Sequence, residues 1–158
     1  MLHHHVLFES VVRVPLMIKG PGAVGGRRLG GVFDLIDVFP TVMEMLGAPP
    51  PRVSGVSRWG DVRSGEDIAP HPSVAVSNHE AMTGWCEGDW KFMRAERPHA
   101  VSDSWSFRGG ERMLFDLRDA VPEVQNRIAE EPARAAELER RMDEWKARLQ
   151  RLAPSQTS

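Results

Sequence analysis

Apolar residues fill the stretch from Val11 to Ile18 (VVRVPLMI) almost without interruption, and several are β-branched. Such a run predicts a strand buried on both faces, as in a parallel sheet covered by helices. Pro15 removes one ladder donor, which places the strand near an edge or at its start. Lys19-Gly20-Pro21-Gly22 ends the run with strong turn chemistry, and Gly25-Gly26-Arg27-Arg28 continues the loop. Leu29 to Leu35 supply a second short extended segment. Asp37 then stands as the N-cap of a helix, with Pro40 in its first turn, where a missing N–H costs nothing. Val42, Met43 and Leu46 continue an apolar face, and Gly47 is placed to end the helix at C′.

Pro49-Pro50-Pro51 opens a stretch rich in Pro, Gly and Ser that runs to about Pro72 and predicts a surface linker. After it the period changes. Ser73 to Ser77 (SVAVS), Trp90 to Met93 (WKFM) and Met113 to Leu117 (MLFDL) read as short strands between polar turns, with Gly109-Gly110 suiting a hairpin connection. From about Pro132 to Leu152 the pattern is helical. Leu138, Met142, Trp145, Leu149 and Leu152 form one apolar stripe, expected to pack onto the preceding sheet, with a coiled-coil seam as the alternative that three turns of pattern are short for, and Glu137 and Arg141 form an i, i+4 pair.

This order of elements predicts an α/β piece over residues 1–50, a linker over 51–72, and a small antiparallel-sheet subdomain with a terminal helix over 73–158. One or two strands and one helix cannot cover both faces of a strand such as Val11 to Ile18. The pattern therefore calls for more sheet ahead of residue 1.

Composition changes this picture little. Hydrophobic residues make up 41% of the 158 residues and charged residues 27%, the ordinary balance of a soluble globular protein. A net charge of −2 points to neither nucleic acid nor an anionic membrane as a partner. No apolar run approaches the roughly 20 residues of a membrane helix. Met1-Leu2-His3-His4-His5 lacks the basic start and apolar stretch of a signal peptide, which leaves the compartment open. The single cysteine, Cys86, has no second Cys to pair with inside the chain and reads as a half-buried thiol.

Several stretches, in order, resemble the sulfatase family. Leu7 to Leu16 (LFESVVRVPL) is similar to the family's LYEESVRVPLII strand, with its Pro-Gly turn here at Pro21-Gly22. Val32 to Thr41 (VFDLIDVFPT) is similar to its V.LVDLFPT segment, and Leu46-Gly47 to the LAG that ends that helix. Gly55-Val56-Ser57 is similar to the G.S ahead of the family's variable loop, and Gly88 to Phe92 (GDWKF) to its GDWKLI strand. Leu114 to Leu117 (LFDL), followed by Pro122-Glu123 and Asn126, is similar to the ELYDLxxDPxExxNL segment.

The resemblance implies the truncated end of an alkaline-phosphatase-like α/β domain, followed by a small antiparallel sheet with a C-terminal helix. It also implies a parent enzyme that hydrolyses a sulfate ester, of a small molecule or a glycan. That chemistry uses a formylglycine made from Cys or Ser in a C/S-x-P-x-R motif, and a divalent cation, usually calcium, held by Asp and Asn. None of this apparatus is in the chain. Cys86 lacks Pro and Arg at the required offsets, and Asp34 and Asp37 are explained by a cap and a solvent contact. No cofactor is therefore expected here; formylglycine and calcium belong to a missing N-terminal catalytic half, and this piece alone is expected to be inactive.

One site position is carried over. Sulfatases place a sulfate-contacting Lys, or in some branches His-His, four residues before the Tyr of LYEE, and counting back from Phe8 puts His4 there with His5 beside it. A protonated imidazole at that position would bind a sulfate oxygen or protonate the leaving alkoxide. His79 follows a predicted strand where the family lines its substrate pocket, although a local loop hydrogen bond explains it as well. Trp85 is read either as a pocket wall or as a core edge, and Trp59 as a surface anchor for the linker. Two other functions fit the same pattern: part of a related phosphonate or phosphodiester hydrolase, and a stand-alone interaction domain.

Overall fold

The computed structural model describes residues 6–49, 52–121 and 123–152. In chain order its elements are α1 (Glu9–Val12), α2 (Leu35–Met45), α3 (Trp59–Ser64), β1 (Ser73–Val76), a 3-10 turn (Asn78–Glu80), β2 (Met82–Glu87), β3 (Trp90–Ala95), β4 (His99–Ser102), β5 (Trp105–Phe107), β6 (Arg112–Asp116) and α4 (Pro132–Leu152). They fall into two units. One is formed by residues up to Val14 together with those from Pro72 onward, the other by Pro15–His71. Among the described residues no helix is long and apolar enough to cross a membrane.

The first unit is built on an antiparallel sheet of order β1-β2-β3-β6. Alternation along β3 sends Trp90 and Phe92 to one face and Lys91, Met93 and Ala95 to the other. On the first face α4 lays Ala135, Leu138 and Met142 onto Trp85, Phe92 and Leu114. The apolar stripe of the sequence does pack on the sheet, down to Met142 and the half-buried Trp145, while Leu149 lies exposed. Val6, Leu7 and the β4–β5 hairpin cover the opposite face, closing a core with Met82, Met93, Met113 and Phe115.

Two strand expectations need correction. β2 (MTGWCE) has no counterpart in the sequence reading because Gly84 interrupts its alternation. Gly109-Gly110 does not join paired strands. It links β5 to β6 after the β4–β5 excursion, and Gly110, at φ +80°, donates its N–H to the Ala95 carbonyl at 2.7 Å. The outer side of β6 is closed locally: Leu114 donates to Asn126 Oδ1 at 3.0 Å and Arg127 to the Leu114 carbonyl at 2.7 Å.

The strand predicted over Val11–Ile18 does not form. Residues 9–12 make the single turn α1, and 13–19 belong to no helix or strand among the described residues. A strand is defined by the neighbour that fills its N–H and C=O groups, whatever its own propensity. Residues 29–34 form no strand either: Gly30 donates to Asp67 Oδ1 at 2.7 Å and accepts the Ile68 N–H at 3.0 Å, and Leu35 already opens α2.

In the Pro15–His71 unit, α2 starts earlier than predicted. Asp34, not Asp37, is the N-cap residue, Asp37 lies in the first turn, and Pro40 sits inside the helix. Its end follows expectation. Gly47, at φ +70°, donates to the Glu44 carbonyl and Ala48 to the Met43 carbonyl, both at 2.9 Å, a Schellman stop. The Pro/Gly-rich stretch after α2 contains α3, and its Trp59 is buried rather than a surface anchor, with Gly22 against its ring.

Candidate functional site

His4 and His5 lie outside the described residues. His79 is exposed in the 3-10 turn after β1, at φ 58°, and Glu80 follows at φ 54°. Two successive side-chain-bearing residues in the left-handed region store strain, which surrounding bonds must hold. Here the hold is Ser77, which receives the Met82 N–H on its Oγ at 2.8 Å and donates its own N–H to the Met82 carbonyl at 2.9 Å, together with Arg97, whose guanidinium donates to the His79 carbonyl. Trp85 belongs to the core beneath α4, its indole N–H donating to Glu87 Oε2 at 3.1 Å. Cys86 sits on β2 opposite Lys91 and is followed by Glu87-Gly88-Asp89, which does not fit a formylglycine precursor.

The Pro15–His71 unit gathers a polar cluster that local sequence pattern does not signal. Asp37, 3% exposed, receives the Val56 N–H on Oδ1 at 2.8 Å and Arg58 Nε on Oδ2 at 2.9 Å. Thr41, one turn on, donates to the Asp37 carbonyl at 2.6 Å and accepts the Arg58 N–H at 2.9 Å. His71 Nε2 lies 3.2 Å from Asp34 Oδ2, its Nδ1 3.2 Å from the Ala69 carbonyl, and Arg58 Nη2 rests against the ring at 3.3 and 3.2 Å from its two nitrogens.

Asp34, Asp37 and His71 bring three ligand-type atoms within 4.8 Å of one another. That arrangement does not fit calcium. Calcium takes six to eight oxygens, whereas this group offers two carboxylates and an imidazole around a guanidinium already bonded to Asp37. Its chemistry is that of an anchor: a buried carboxylate fastens the 55–58 segment to α2.

A second cluster lies in the sheet unit. Lys91, 3% exposed, is held by Glu9 at 2.7 Å and Glu123 at 2.8 Å, and Glu123 also accepts the Glu9 N–H. Glu123 adopts φ 64° to do so. These residues adjoin an open cleft of about 650 Å³ lined by Phe8, Val11, Val101 and Trp105 as well as Glu9 and Glu123. The ammonium has two carboxylates on it, so among the described residues the cleft presents no free cation to a sulfate oxyanion. Sequence reading named Asp34 and Asp37 as a cap and a solvent contact, whereas Asp37 is buried and bonded, and it assembled neither cluster. Their members meet across 21 residues for Arg58 and Asp37 and 82 for Lys91 and Glu9, beyond the reach of any local period.

No family model matches the chain. Over 149 residues, 86% of this chain, it is 25% identical to arylsulfatase K of Xenopus laevis. Over 131 residues, 79% of this chain, it is 31% identical to choline-sulfatase of Rhizobium meliloti (strain 1021). A solved structure described under the metabolism of multiple glycosaminoglycans by Bacteroides thetaiotaomicron shares the fold, with a TM-score of 0.62 at 17% identity over 75% of this chain and 26% of that one. The chain spans about a quarter of the length of these relatives, 26% of the arylsulfatase K and 23% of the choline-sulfatase.

Proposed function

We propose that this chain, which is similar over most of its length to the C-terminal portion of sulfatases, serves as the supporting part of a sulfate-ester hydrolase and does not itself carry out hydrolysis. What supports this reading is one combination: sulfatase-like sequence along most of the chain, no C/S-x-P-x-R motif in that sequence, and, among the described residues, an Asp34–Asp37–His71 group that does not fit calcium. In this reading the formylglycine and the calcium ion come with sulfatase residues outside these 158, arranged on an alkaline-phosphatase-like α/β domain of which the first residues here are the end. The substrate is a sulfate ester of a small molecule or a glycan.

His4 is the position assigned to the sulfate. As an imidazolium it would donate to a sulfate oxygen, or pass its proton to the departing alkoxide oxygen. His5 and His79 are the further candidates for contacts to the substrate. The test is a sensitive aryl sulfatase assay on the purified chain, with and without calcium. Turnover at background is the expected result; turnover by a clean preparation that His4→Ala abolishes would overturn the proposal.

A further inference from the structure

We draw no further inference here: the strongest candidate, the open cleft of about 650 Å³ beside α1 where Phe8 and Trp105 adjoin Glu9 and Glu123, offers a pair of carboxylates already held by Lys91, and nothing else among the described residues points to a ligand for it.

Discussion

Gly55 rests against the carbonyl oxygen of Ile36, the oxygen to which Pro40, four residues on, has no N–H to give. A proline inside a helix costs stability partly because it strands that carbonyl. Here the opened groove admits the neighbouring segment, and Val56, next along, donates to Asp37 Oδ1. A Cβ at Gly55 would lie 2.0 Å from the Ile36 oxygen, and a backbone atom cannot swing aside. Gly55→Ala is expected to destabilise this unit by about 1–3 kcal/mol, read as faster amide exchange across α2 and earlier unfolding in urea. Unchanged exchange would show that the contact is not tight.

Asp37 carries the same junction electrostatically. Asp37→Ala removes the acceptor of Arg58 Nε and leaves a mostly buried guanidinium without it, an expected loss of about 3–5 kcal/mol. Asp37→Asn keeps an oxygen for the Val56 N–H but no charge for Arg58, and should cost less than the alanine. Chemical denaturation of the two variants beside the parent orders them; equal losses would mean that the Val56 bond, not the ion pair, dominates.

The parts legible in the sequence are those encoded by a local period. Phe92 and Met93 alternate across β3, and Leu138 and Met142 stand one turn apart on α4, so strand, helix and their packing follow from neighbours in the chain. The parts that were not legible depend on distant partners. Val11–Ile18 has the composition of a buried strand, yet a strand needs a second strand beside it. β2 hides behind Gly84, which breaks its alternation, and is held between β1 and β3, partners that no local period reveals. Asp37 looks like a cap by residue type, but its carboxylate is claimed by Arg58, which no spacing rule connects to it.

Lys91 offers a test of the polar group beside the cleft. It is buried between Glu9 and Glu123, and Glu123 is the less exposed carboxylate of the two. Lys91→Met would leave Glu123 buried without its cation, with an expected loss of about 3–5 kcal/mol. Adding Glu123→Gln should recover much of it, because the uncompensated charge is then gone. A double-mutant cycle by urea denaturation measures the coupling; strictly additive losses would show that the pair does not interact.

Acid titration probes the edge of the sheet at β6. Asp116 is held down to about 2 from 3.8, first by the hydrogen bonds of the Arg118 side chain, then by the Arg118 backbone N–H. Glu96 on the α4 side is also lowered: burial alone would raise it, and the hydrogen bonds from Lys146 and Thr83, with the charge of Arg94, outweigh that. A carboxylate depressed in the folded state contributes stability that is complete above its unfolded value and is lost as pH falls through the folded one. For Asp116 the loss therefore falls between pH 3.8 and about 2. Arg118→Gln should move the Asp116 carboxyl titration, followed by carbon NMR, back up toward 3.8 and flatten the fall of the urea midpoint across that window. Lys146→Met should raise Glu96 in the same way while leaving Asp116 where it is. A titration of Asp116 that ignores Arg118→Gln would show that the bidentate contact does not persist in solution.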